Sequence, residues 1–236
     1  MDQLGLLELI REALVAVVHE MRANVIHSSY SSVIYEGHDF SCALLTADGR
    51  HVAQSDGDTP IHIIAVPYST REVIRKFEGD IHEGDVFLHN DPYTGGTHLN
   101  DILMLQPVFS GGEPVMYVAI RYHWADVGGM TAGSLSGQAR EIYQEGMRIT
   151  PTRICKKGVM NETFLRLLIE NMRLPGERMG DFNAMHGTAR KAEEHIQRLL
   201  KRFGPTDLIG AIEEILNRSE RVMRDRIRGL KDGDYY

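Results

Sequence analysis

Two long apolar segments, Ile102 to Phe109 and Val115 to Tyr122, are separated by only Ser110-Gly111-Gly112-Glu113. Segments rich in β-branched and aromatic residues around a glycine turn form a β-hairpin, and this one fixes a sheet in the middle of the chain. A sheet must bury its apolar faces against another layer, so the rest of the sequence has to supply cover.

The flanking sequence supplies both cover and further strands. Leu7, Ile10, Leu14, Val17, Met21 and Val25 recur at three- and four-residue steps, which predicts an amphipathic packing helix over residues 3–27. Ser41 to Leu45 and His51 to Gln54 flank Asp48-Gly49, a second hairpin signal. Residues 67–77 read as a short helix with Pro67 in its first turn, and Val86-Phe87-Leu88 as a short buried strand. From residue 153 onward the sequence reads as helical. Helices are expected at 162–173, at 177–203 before Gly204-Pro205, and from about Asp207 to Gly229 with Leu208, Ile212, Ile215, Val222 and Leu230 near one stripe. No internal repeat is visible. The expected class is α+β: an N-terminal helix, a mixed or antiparallel sheet unit with glycine-rich loops, then a C-terminal helical segment. The expected division is 1–152 as the sheet unit and 153–236 as a helical segment packing on it or on a partner.

Composition narrows the class of molecule. Apolar residues make up 42% and charged residues 25% of the 236, the balance of a folded globular chain. No run approaches the ~18 apolar residues of a membrane span. Met1-Asp2-Gln3-Leu4 lacks the basic start of a secretory signal. Cys42 and Cys155 are far apart and form no CxxC pair, so a cytoplasmic chain with reduced, buried thiols is expected. Residues 1–152 hold 9 Lys/Arg against 20 Asp/Glu, whereas 153–236 hold 17 against 13. The acidic part favours cations and repels nucleic-acid phosphates. The basic part interleaves its charges, as in Arg190-Lys191-Ala192-Glu193-Glu194, which is the pattern of a solvated helix face.

Chemistry concentrates in the acidic part. Seven of the eleven histidines lie between His38 and His123. Three segments combine histidine with acids at loop–strand junctions: Tyr35-Glu36-Gly37-His38-Asp39, Thr97-His98-Leu99-Asn100-Asp101 and Arg121-Tyr122-His123-Trp124-Ala125-Asp126. A metal centre needs imidazoles and carboxylates converging from separate elements. His98 and Asp101 would point to opposite faces of an ideal strand but converge in a turn entering one. His123 and Asp126 repeat the spacing, so two HxxD units of one hairpin can face a common point. Glycine-rich loops follow, at Gly95-Gly96 and Gly128-Gly129. The chain has no GxxxxGK[ST], GxGxxG or GxSxG motif, so a nucleotide site of its own is not expected. Cys42 has apolar neighbours that raise a thiol pKa, which disfavours it as a nucleophile.

These segments resemble the hydantoinase B/oxoprolinase family. The matching residues are Tyr35 to Ala43, Asn90 to Asp101, His123 to Gly129, Ala132-Gly133-Ser134 and Glu145-Gly146, and the likeness covers nearly the whole chain. The family comprises subunits of ATP-dependent 5-oxoprolinases, N-methylhydantoinases and acetone and acetophenone carboxylases. The resemblance implies an A-type partner subunit carrying ATP and Mg, and a small-molecule substrate. It also implies one divalent metal (Zn, Mn or Fe) on Glu36, His98, Asp101 and His123. Asp39 and Asp126 are then expected as proton carriers or as groups orienting the histidines. Gly95, Gly96, Gly128 and Gly129 are expected to offer N–H groups to an anion. Tyr-Glu-Gly-His-Asp resembles the carboxylase branch, implying a ketone and bicarbonate as substrates. The alternatives are an ATP-dependent cyclic-amide hydrolase and a non-catalytic scaffold with a structural metal. Family members are usually much longer, so either a second polypeptide supplies the rest, which is the reading preferred, or the chain is a fragment of a longer subunit.

Overall fold

The computed structural model describes residues 3–234. Its strands, in chain order, are β1 (Phe40–Thr46), β2 (His51–Gln54), β3 (Val86–His89), β4 (Asp101–Ser110), β5 (Glu113–His123), β6 (Thr152–Lys156) and β7 (Val159–Met160). They form one sheet in the order β2-β1-β5-β4-β3-β6-β7, and every pairing is antiparallel. The hairpin expected from sequence, β4–β5, lies at the centre. Its pairing runs from Asp101 opposite His123 to Ser110 opposite Glu113, with an irregularity between Val108 and Phe109.

Because both faces of this sheet are covered, β1 and β4 are buried almost without interruption. Alternate residues go to opposite layers. Cys42, Leu44, Ile102, Met104, Val118, Ile120 and Tyr122 face the larger core. That core is closed by α1 (Gln3–Ser28), α6 (Pro175–Phe203) and the first half of α7 (Pro205–Arg228). Ala43, Leu45, Leu103, Leu105, Tyr117 and Ala119 face a smaller core under α3 (Pro60–Lys76), where Val66 and Val73 meet Phe87. Smaller helical turns are α2 (Ser32–Tyr35), a 3₁₀ turn at Pro92–Thr94, and α4 (Ile142–Glu145), while α5 (Glu162–Glu170) precedes α6.

Four expectations change. The helix expected at 67–77 begins at Pro60, and Pro67 lies inside it. Pro60 suits the first turn for the reason that made Pro67 a plausible start, since its missing N–H has no helical acceptor to lose. The remainder expected to be helical opens with β6 and β7, joined through Lys157 (φ 51°) and Gly158 (φ 79°). Two successive positive φ values are what a tight hairpin turn requires. α5 ends at Glu170 rather than 173. Along α7 and just past it the apolar stripe divides: Leu208 and Ile212 are buried, whereas Val222, Met223, Ile227 and, beyond the helix end, Leu230 are exposed.

Candidate metal centre

The pairing of the central hairpin sets the site. Asp101 is the first residue of β4, His123 is the last of β5, and the two are direct cross-strand partners. His98 arrives from the preceding loop. The Asp101 N–H donates to the His98 carbonyl at 3.0 Å, closing a turn that brings the two side chains to one side. His98 Nε2 lies 2.9 Å and His123 Nδ1 3.2 Å from Asp101 Oδ1. The imidazole rings of His98 and His123 are 4.9 Å apart between centroids. One donor atom from each of His98, Asp101 and His123 lies within 4.8 Å of the others.

A third imidazole completes the cluster, and sequence reasoning missed it. His62, in the first turn of α3, places Nε2 3.0 Å from Asp101 Oδ2. Thr97 Oγ1 donates to the same oxygen. Asp101 is therefore a buried carboxylate with its two oxygens in different company. Burial would push its carboxyl up, but hydrogen bonds from His123, His62 and His98 outweigh burial and hold it far below the ordinary range. The same pairing raises His98, against the opposing effect of its partial burial. A usable signal for His62 is Thr59-Pro60, which marks a helix start two residues ahead of it.

Asp39 stands at the rim. The residue before it, His38, takes φ 54°, and Phe40 then enters β1 opposite Tyr122. The Asp39 carbonyl accepts from the His123 N–H at 3.0 Å. Its carboxylate lies 3.6 Å from His123 Nδ1 and 3.7 Å from His62 Nε2, and accepts from Thr59 Oγ1 at 3.2 Å. At 37% exposure it has one side in solvent. Glu36 caps the end of α2 in solvent and is not among the groups that converge on Asp101.

Asp126 repeats the HxxD spacing but faces elsewhere. Its Oδ1 accepts from the N–H groups of Gly128 (2.8 Å) and Arg173 (3.0 Å). Its Oδ2 accepts from the Gly133 N–H (3.0 Å) and Arg173 Nη1 (2.9 Å). Burial raises its carboxyl, yet these donors together lower it. Asp126 is thus the hub of the glycine loop. The glycines themselves serve close packing. Gly96 N–H is committed to the Asp91 carbonyl, Gly128 N–H to Asp126 and Gly129 N–H to Ser134 Oγ. A Cβ at Gly95 would sit 2.7 Å from the Ser69 nitrogen, and one at Gly129 2.6 Å from the Glu145 carbonyl oxygen. Two asparagines lock these loops to the sheet. Asn90 Nδ2 donates to the carbonyls of Leu99 and Met147, and its Oδ1 accepts from Ile149. Asn100 Nδ2 donates to the carbonyls of Trp124 and Gly133.

Two imidazoles and one ionised carboxylate are a donor set suited to a divalent transition metal, and His98, at 37% exposure, keeps the cluster open on one side. Cys42, fully buried, has its thiol pushed well up by burial and then by Asp58, and takes no part. Two grooves between α1 and α7 share no residue with the cluster.

This geometry sits in a chain with relatives of known architecture. The beta subunit of a caprolactamase from Pseudomonas jessenii is 35% identical over 97% of this chain and 39% of its own length. A crystal structure of the ATP-dependent caprolactamase from Pseudomonas jessenii superposes with a TM-score of 0.93 at 35% identity, over 99% of this chain and 40% of that one. The B component of a putative D-/L-hydantoinase from Pseudomonas sp. (strain NS671) is 32% identical over 93% of this chain and 38% of its own length. An acetone carboxylase structure shares the fold, with a TM-score of 0.80 at 20% identity over 89% of this chain and 28% of that one. The chain thus spans about two fifths of the length of these curated relatives. The hydantoinase B/oxoprolinase family model matches residues 5–236, the cluster and both cores included, and the chain belongs to that family.

Proposed function

We propose that this chain is the metal-holding part of the B-type subunit of an ATP-dependent enzyme that opens a cyclic amide. The convergence of His98, Asp101 and His123 at the mouth of the central hairpin is the observation that carries the reading. A divalent ion (Zn, Mn or Fe) would be held by these three residues. When bound, it supplies a Lewis acid able to polarise an oxygen or acidify water at neutral pH. Three protein ligands with an open side fit a catalytic site better than a closed structural one. Glu36, in solvent, is left out of the set.

This chain's own residues have distinct tasks. Asp39, partly exposed and 3.6 Å from His123, is placed to take a proton from the attacking water and release it to solvent. Asp126 keeps the 126–134 loop in shape and acts on the site only through that loop. Asn90 and Asn100 fix the segments carrying His98 and His123. ATP and Mg belong on a partner A-type subunit, in keeping with the absence of a phosphate-binding motif here.

Two relatives above 30% identity are named for a lactam and a hydantoin, which supports ring opening over carboxylation. Ketone carboxylation remains the competing reading, supported by the Tyr35 to Asp39 segment and by the shared fold of the acetone carboxylase. The natively purified complex decides between them. ATP-dependent ring opening of a lactam or hydantoin is expected, with a stoichiometric metal that His98→Ala removes. ATP-dependent incorporation of labelled bicarbonate into a ketone, without amide hydrolysis, overturns the hydrolase. Retention of both metal and turnover in His98→Ala overturns the metal site.

A further inference from the structure

The two oxygens of Asp101 are not equivalent, and their difference has a purpose. Oδ1 faces His98 Nε2 (2.9 Å) and His123 Nδ1 (3.2 Å), the two imidazoles of the proposed ligand set. Oδ2 faces away, toward His62 Nε2 (3.0 Å) and the Thr97 hydroxyl. We infer that His62 and Thr97 are positioning residues that grip Oδ2 of Asp101, presenting Oδ1 alone to a divalent metal bound with His98 and His123. The inference rests on the metal-centre reading above.

Three observations support this assignment. First, an isolated carboxylate can turn about its last bond and exchange its oxygens, or offer both at once. Two donors fixed on one oxygen remove that freedom and leave a single, directed ligand atom. Second, the His62 ring is itself immobile. Its side chain is 2% exposed, and the residue is anchored in the first turn of α3 by its N–H bond to the Thr59 carbonyl at 3.0 Å. Third, the proton of the neutral ring has one useful place. His62 Nδ1 is buried without a hydrogen-bond partner among the described residues, whereas Nε2 faces an acceptor. The tautomer that donates from Nε2 to Asp101 is therefore favoured. His62 Nε2 also lies 3.7 Å from Asp39 Oδ1, and Thr59 of the same turn donates to that oxygen. One helix start thus orients both acids of the site. Thr97 adds a second donor from the loop that carries His98, so the grip on Asp101 and the placement of His98 are built from one segment.

The test is the affinity of the 236-residue chain for Zn²⁺ alone, measured by competition with a chromogenic chelator. The visible spectrum of the Co²⁺ form provides a second readout. Groups that hydrogen-bond a metal ligand typically contribute about 10–100-fold in affinity. His62→Ala is expected to weaken Zn²⁺ binding by about that factor and to shift the Co²⁺ bands. His62→Gln, which keeps an N–H near Nε2, is expected to restore most of both. Thr97→Val, a near-isosteric change at a half-buried position, is expected to weaken binding to a smaller extent and serves if His62→Ala unfolds. His98→Ala is expected to abolish binding. Wild-type affinity and spectrum in His62→Ala and Thr97→Val, with binding lost in His98→Ala, overturn the grip and leave the metal centre standing. Wild-type binding in His98→Ala overturns the metal centre and the grip with it.

Discussion

His89 shows how a single buried group ties this fold to pH. It is completely buried on β3, with Nε2 2.8 Å from Thr94 Oγ1 and no partner for Nδ1 among the described residues. Burial, followed by the nearby Arg121 charge, pushes it down to about 4 from its ordinary 6.5. The folded state therefore holds His89 neutral, whereas the unfolded chain takes up a proton at about 6.5. Its contribution is complete above that value and is lost as pH falls from about 6.5 toward 4, by at most about 3 kcal/mol. Urea unfolding at pH 7.5 and 4.5 checks this. His89→Gln is expected to lose less stability between the two than the wild type, and an equal loss in both assigns the pH dependence to other groups. Individual residues were unevenly legible in the sequence. The HxxD spacing marked His98 and Asp101 correctly as neighbours, because the chain turns between them. The same spacing at His123 and Asp126 carried no such information. His123 still belongs to β5, but the chain then leaves the strand and Asp126 meets Arg173, 47 residues on. The acid nearest His62 in sequence, Asp58, is engaged by Ser55 and the Cys42 N–H instead, and the link of His62 to Asp101 exists only once α3 lies across the sheet.

At the scale of elements, α3 and the loop at residues 91–98 act as one unit. Ser69 Oγ donates to the Gly95 carbonyl at 2.6 Å and accepts from Arg121 Nη2 at 2.6 Å, tying helix, loop and strand together. Gly95 has φ +98°, and a Cβ there would lie 2.7 Å from the Ser69 nitrogen and 2.8 Å from the Tyr68 carbonyl carbon. Backbone atoms of a helix packed on the sheet cannot retreat as a flexible side chain would. Gly95→Ala is therefore expected to destabilise by more than the ~1–3 kcal/mol of positive-φ strain alone, and to displace His98. Gly111→Ala is the control, since its φ is +63° but nothing lies within 4 Å of the added carbon. Thermal unfolding of the two variants is the measurement, and equal losses refute the steric argument. Element legibility followed the strength of the periodic signal. The β4–β5 hairpin and α1 were plain because each repeats its period over many residues. α3 was truncated because Pro67 offered a plausible start and Pro60 an equally good one. The β6–β7 hairpin is too short for a periodic signal, and only Lys157-Gly158 marked it.

At the scale of the whole molecule, the sheet separates a large core from a small one, and the candidate site lies on the side of the small one. The acids and histidines of the candidate site gather on the α3 side, at one end of the central hairpin, while α1, α6 and α7 build the opposite layer. The charge asymmetry of the sequence follows this division apart from α1, which belongs to the acidic part. The acidic segment supplies the proposed cation site, and the basic segment supplies α6 and α7, whose exposed charges pair along the helix as in Arg224–Glu220 and Arg228–Asp225. Such exposed pairs contribute little, about 0–1 kcal/mol each. α7 accordingly splits in function. Leu208 and Ile212 are buried and Leu216 packs against the large core, but every described residue from 217 onward is exposed, including Val222, Met223, Ile227 and Leu230 at 52–64%. A contiguous apolar stripe of this kind adds nothing to the stability of the isolated chain and favours association. Ending the chain after Asn217 removes it together with the exposed Arg218–Glu8 pair and no buried side chain among the described residues. The expected result is a cooperative transition within about 2–4 °C of the full chain, the span of a change of about 1 kcal/mol at this size. Sedimentation is expected to show less self-association. A drop well beyond that range, or loss of cooperativity, would place the second half of α7 inside the folding unit and overturn the division drawn from burial.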